Sequence, residues 1–253
     1  MSSLSERVDD LPLVEGGVAG VAAFVAGYLV TYLLKVGDVA AAKARSASDG
    51  GLFVATHESS TIPAGDVFGE ELVISAQESG VQWTLNVFGV DPPGDATMVA
   101  WLYEGAHGLN PSGRLVVETG SESATYALSL AVPVETYLLL VPPVVLTAAG
   151  YTVVSRVGAP EEMQAAGRLG GTVAVGYALA TVAAVALFRW SQTGAVLNAS
   201  GSSSTALSYG PNPLLAVAVM GVAYPLVFGA LGGYVAFRRA STDAPSFDDT
   251  DRL

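Results

Sequence analysis

The sequence predicts a four-helix membrane bundle, all-α in its core, with a small α+β domain in the loop between its first and second helices. Three observations predict it. Of 253 residues 51% are apolar and only 13% charged, against about a quarter charged in an ordinary soluble enzyme. Four uncharged windows are each long enough to cross a hydrocarbon core, which takes about 20 helical residues. Between the first and second windows lie residues 36–135, with 13 acidic and three basic side chains. Structureless connectors beyond about 15 residues are uncommon in compact proteins, so this stretch reads as a folded domain.

The windows come in order along the chain. Helix 1 is expected over 16–35, ending at Lys35, and helix 2 over 136–155, between Glu135 and Arg156. Helix 3 covers 169–188, between Arg168 and Arg189, and helix 4 covers 213–237, stopping at Arg238-Arg239. In lipid the backbone must satisfy its own hydrogen bonds, so each window reads as a helix. Residues 1–15 and 238–253 are expected as flexible acidic tails. The first residues lack the basic region of a cleaved signal peptide, which makes helix 1 an expected uncleaved anchor. Arg156 and Arg168 in the loop after helix 2, with Arg238-Arg239, place both tails in the cytoplasm and the 36–135 domain outside. Lys35, Lys43 and Arg45 argue the other way, although long loops cross largely regardless of charge. The Ser- and Gly-rich loop 190–212 contains Asn198-Ala199-Ser200, a glycosylation sequon that suits an outer face.

Within 36–135, Val81–Val87 alternates with period two and reads as a strand, with Leu52–Thr56 and Glu71–Ser75 as shorter strand candidates. Pro92-Pro93-Gly94 is a turn, and Asp95 can cap a helix closed by Gly108. Val99, Leu102, Tyr103 and Ala106 share one face of that helix, which either covers a sheet or lies at headgroup level with Trp101 and Tyr103. Arg114–Thr119 and Ala124–Leu130, around Gly120-Ser121, read as a hairpin.

Composition also bounds the chemistry. The chain has no cysteine and thus no disulfide, thiolate metal site or thiol nucleophile. A net charge of −12 repels nucleic acid. Only Lys35 and Lys43 are lysines among 11 basic residues facing 23 acidic ones, the surface expected in molar salt, where the Debye length is about 3 Å.

Four features invite a chemical reading. Gly16/Gly20, Ala23/Gly27, Gly176/Ala180/Ala184 and Gly229/Gly233 are spaced for close helix approach, either within one bundle or in self-association. Pro142-Pro143 and Pro225 are expected to kink helices 2 and 4. No ionisable residue accompanies them, only neutral groups such as Tyr28, Thr31, Thr147, Tyr151, Thr181 and Tyr224, which does not suit a pump or proton-coupled carrier. Glu104 and His107 have a Glu-x-x-His spacing, and with His57 beside Glu58 a mononuclear metal site is conceivable; a structural hydrogen bond is the simpler reading. Asp248-Asp249-Thr250-Asp251 reads as a solvated acidic end. No nucleophile–histidine pair, phosphate loop or dinucleotide fingerprint is present.

Gly27–Leu34, Trp101-Leu102-Tyr103-Glu104-Gly105-Ala106-His107, Tyr137–Pro143 and Ala148–Tyr151 together resemble a family of haloarchaeal multi-pass integral membrane proteins of unknown function. The resemblance covers most of the chain. It implies a halophilic archaeal membrane and this topology, and it transfers no catalytic residue. The expectation is a non-enzymatic structural or envelope-interaction protein with no cofactor, metal or nucleic acid. Its expected partners are the lipid bilayer, an envelope protein, or itself through small-residue helix faces. The alternative is permeation of a neutral or hydrophobic solute through a kinked bundle, and the third, weakest reading is a metal-dependent enzyme at His57 and His107.

Overall fold

The computed structural model describes residues 12–48, 53–60, 81–83, 91–119, 122–130, 132–158, 160–198 and 201–243. Four helical stretches are long and apolar enough to cross a membrane: Leu13–Ala44, Thr136–Val157, Met163–Leu187 and Pro213–Thr242. The chain divides into two compact units. One comprises residues up to Gly27, Leu140–Ala183 and the chain from Val217; the other comprises Tyr28–Leu139 and Ala184–Ala216.

The first unit holds the start of α1 (Leu13–Ser48), α3 (Val141–Val157), α4 (Met163–Gly171), most of α5 (Val173–Leu187) and α6 (Tyr224–Asp243). Glycines bring these helices together backbone to backbone. A methyl group on Gly176 would stand 1.7 Å from the Gly17 carbonyl oxygen, and one on Gly20 would stand 2.1 Å from that of Val173. Gly150 and Gly170 meet Gly229 in the same way, and Gly232 and Gly233 meet Thr147 and Ala166. Small-residue stripes on Gly16/Gly20, Gly176 and Gly229/Gly233 are thus engaged inside one chain. Outward residues are large and apolar: Val14, Val18 and Leu179 are 76%, 67% and 66% exposed, a surface suited to acyl chains rather than water. Two of the neutral polar groups, Thr181 and Tyr151, bond within the bundle. The Thr181 hydroxyl donates to the Tyr177 carbonyl at 2.9 Å, and Tyr151 accepts from the Arg239 guanidinium at 3.2 Å.

Both proline sites fall where the helical pattern changes. Pro142 and Pro143 occupy the first turn of α3, after a 3₁₀ turn at Thr136–Leu140. There the missing N–H would have had no helical partner in any case. Pro225 follows a π-helical stretch, Ala216–Ala223, at the start of α6. A wider turn accommodates a ring that would otherwise collide with the carbonyl four residues earlier. α1 is also longer than its apolar window, continuing to Ser48 through the helix-forming run Val39–Ala44, so the stretch beginning at residue 36 starts as helix.

The second unit is built on a six-stranded antiparallel sheet in the order β2-β1-β4-β3-β6-β5. Its strands are β1 (Phe53–Ser60), β2 (Val81–Trp83), β3 (Ser112–Thr119), β4 (Glu122–Leu130), β5 (Trp190–Asn198) and β6 (Gly201–Gly210). The expected strand at 81–87 is described only to Trp83, and Glu71–Ser75 lies outside the described residues. The reading of 190–212 as a plain Ser- and Gly-rich loop is corrected, because that segment forms the β5–β6 hairpin. β6 pairs with β3 from Ser112↔Gly210 to Glu118↔Ser204. Leu115, Tyr126, Leu128, Leu207 and Tyr209 are buried on one face, while Arg114, Ser204, Ala206 and Ser208 are exposed on the other.

Helix α2 (Asp95–Gly105) lies in the core of this unit, with Met98, Val99, Trp101, Leu102 and Tyr103 each at most 1% exposed. Trp101 and Tyr103 are therefore interior to this unit, packed in its core and not presented on a surface. The Trp101 indole donates to the Phe188 carbonyl at 2.9 Å, and its ring meets Tyr209 at 4.6 Å. The Tyr209 hydroxyl donates to the Pro111 carbonyl at 2.9 Å and accepts from Leu130 N–H at 3.1 Å. Asp95 does not cap α2; Gly94 holds that position, and Asp95 pairs with Lys43 of α1 at 2.7 Å. Lys35, 1% exposed, is neutralised by Asp38 one turn on and by Glu135 at 3.0 Å. Gly108, with φ of +75°, closes α2 as expected.

The helix packing makes a paired prediction. Gly176→Ala forces a methyl into the Gly17 backbone and should cost about 1–3 kcal/mol. Gly17→Ala places its methyl where nothing lies within 4 Å and should gain up to about 1 kcal/mol of helix propensity. Thermal unfolding of the two variants in detergent checks the opposite signs; equal shifts would contradict this packing.

Candidate functional site

The one chemical motif of the loop domain, Glu104 with His107, falls at the end of α2. Three-residue spacing suggested a carboxylate and an imidazole presented to a ligand, but both side chains are interior, 4% and 2% exposed. The His107 Nδ1–H donates to the Tyr103 carbonyl at 2.8 Å, and its ring packs edge-on against the Tyr103 ring at 4.9 Å. A carbonyl can only accept, so this bond fixes the tautomer and leaves Nε2 without a proton. Burial pushes the imidazole down to about 4 and the Glu104 carboxyl up to about 8. At neutral pH both groups are therefore uncharged. Tyr209 belongs to the same interior, its phenol pushed up to about 12 by burial.

The other expected site residues lie elsewhere. His57 is on β1, where its backbone is registered against Tyr126 of β4. Among the described residues no group of three or more His, Cys, Asp or Glu is gathered as a metal would require. Asn198 ends β5 opposite Gly201. Asp248, Asp249 and Asp251 lie outside the described residues.

What the geometry offers is thus two neutral interior groups, an imidazole hydrogen-bonded to the Tyr103 carbonyl and a carboxyl held protonated near neutrality. Trp190 and Tyr209, which the sequence reading did not single out, complete the aromatic core. Phe53 stacks on Trp190 at 5.7 Å and meets Tyr209 at 4.9 Å. The signal for them was the alternation Thr205, Leu207, Tyr209, all buried, against exposed Ser204, Ala206 and Ser208.

The buried pair sets a pH dependence of stability. Folded Glu104 keeps its proton up to about 8 against an ordinary 4.5, so its stabilising contribution is complete below 4.5 and fades as pH rises to about 8. Folded His107 loses its proton near 4 against an ordinary 6.5, so its contribution is complete above 6.5 and fades as pH falls to about 4. The two slopes oppose each other from 4.5 to 6.5, and from 6.5 to 8 Glu104 acts alone. Melting followed by tryptophan fluorescence should show the parent protein losing stability from pH 6.5 to 8 and Glu104→Gln holding level. Parallel profiles would refute the assignment.

Residues 2–240 match the sequence profile of a family described as a family of unknown function, DUF7978. Comparison with curated proteins and with solved structures yields no match.

Proposed function

The chain belongs to the DUF7978 family, and we propose that it is a non-enzymatic membrane anchor that displays its β-sheet domain outside a halophilic archaeal cell, for structural contact with other envelope components. The observation that carries this reading is the pairing of β6 with β3, which makes one domain from the loop between helices 1 and 2 and the loop between helices 3 and 4. Four alternating crossings put those two loops on the same side, so a shared sheet is what this topology would allow. An outward domain follows from Arg156, Arg168, Arg238 and Arg239 flanking the other side, and suits 23 acidic residues and only two lysines.

The rival reading, passage of a neutral or hydrophobic solute, draws on the π-helical stretch Ala216–Ala223, a feature frequent at functional sites. Against it stand the contacts of Gly229 with Gly150 and Gly170, and of Gly232 with Thr147, a turn or two beyond the prolines. Backbones meeting there favour a filled bundle over a passage between those helices.

The chain has no cysteine, so single thiols report orientation cleanly. Thr193→Cys, exposed on β5, should react with a membrane-impermeant maleimide on intact cells, whereas Glu161→Cys, between α3 and α4, should react only after lysis. The reverse pattern would overturn the orientation. Crosslinking in native membranes should capture an envelope component, and recovery of the isolated monomer alone would overturn the contact role.

A further inference from the structure

The second unit contains a pocket of about 570 Å³ whose lining includes Ser112 and Arg114 of β3, Arg189, Ser191 of β5, Ser208 of β6 and Asn212. Strand register assembles it. Arg114 is the cross-strand partner of Ser208, and Ser208 of Ser191, so a guanidinium and two hydroxyls lie in one row across three neighbouring strands. Such partners share a face and sit about 5 Å apart. Ser112, two residues before Arg114, lies on that same face. The Asn212 carbonyl oxygen is spent on the Leu214 and Leu215 N–H groups at 3.1 and 3.2 Å, so its NH₂ is what remains to offer a ligand. All these side-chain groups are hydrogen-bond donors, and hydroxyls can turn to donate.

Charge distinguishes this pocket from the rest of the chain. The protein carries 23 acidic and 11 basic residues, yet the described lining holds two arginines and no carboxylate. The planar forks of two guanidiniums lining one cavity match the oxygens of a phosphate. The chain also fixes the level of the pocket. Arg189 comes two residues after the third membrane-crossing stretch ends at Leu187, and Asn212 one residue before the fourth begins at Pro213. Two residues span at most about 7 Å, so the pocket borders the headgroup region.

We propose that this pocket binds the phosphate of an anionic membrane lipid headgroup, with Arg114 and Arg189 as the charged clamp and Ser191, Ser208 and Asn212 as additional donors. The proposal requires the helices to lie in a bilayer but not that the domain face outward, so it stands or falls separately from the orientation proposed above.

The full-length protein, reconstituted in nanodiscs of mixed phosphatidylglycerol and phosphatidylcholine, then extracted in detergent and washed, should retain phosphatidylglycerol. The variant carrying Arg114→Gln with Arg189→Gln should retain at least tenfold less. Arg114→Lys with Arg189→Lys, which keeps the charge and loses the fork, should fall between them, and the control Arg238→Gln with Arg239→Gln should retain as much as the parent. Equal retention by the parent and the glutamine variant, or an equal loss in the control, would overturn the proposal. So would displacement by millimolar inorganic phosphate without any preference for phosphatidylglycerol over phosphatidylcholine, since the site would then serve a soluble anion.

Discussion

The backbone ladder between β3 and β6 is the interaction on which the domain depends. Without it β3 would be an open edge, a row of unpaired N–H and C=O groups that soluble sheets must cover or blunt. β5 and β6 would be an isolated two-stranded hairpin, marginal in water by itself. Joined from Ser112↔Gly210 to Glu118↔Ser204, they make one sheet whose buried face offers Leu115, Tyr126, Leu128, Leu207 and Tyr209 to α2. Trp101 then closes the core, with its indole hydrogen bond to Phe188 tying α2 to the residues that lead into β5. The ladder also constrains topology, because two loops can share strands only if both emerge on the same side.

The helices were legible because lipid simplifies the rule. A backbone with no water to bond must be helical or closed in a barrel, and uncharged runs punctuated by Lys35, Glu135, Arg156, Arg168, Arg189 and Arg238 marked where that rule applies. α2 and the β3–β4 hairpin were legible from periodicity and turn residues. The β5–β6 hairpin was hidden by composition, since Ser and Gly between 198 and 204 carry a turn-like signal stronger than the alternation that follows them. The local setting of the prolines was not legible. Pro at a first helical turn and Pro after a wide turn remove the same donor as Pro within a regular helix, and sequence alone does not say where the helical pattern changes.

The buried pair shows a different limit. Glu-x-x-His spacing is a statement about helix geometry, and it holds here: both residues are on α2 and its final turn. Whether they face a ligand or the interior is settled by what packs around them, and the sheet that covers α2 comes from two separated parts of the chain. The Arg114–Arg189 pocket is illegible for the same reason. Residues 112–114, 189–191 and 208–212 become neighbours only once the register of β3, β5 and β6 is known.

The most direct test of this architecture is a disulfide across the ladder. Val116 and Ala206 are Cα partners on β3 and β6, away from the buried face, and the chain has no other cysteine to compete. Oxidised Val116→Cys/Ala206→Cys protein should, after cleavage at a protease site inserted between α3 and α4, run as one linked species that separates on reduction. Two free fragments before reduction would show that the loops do not share a sheet.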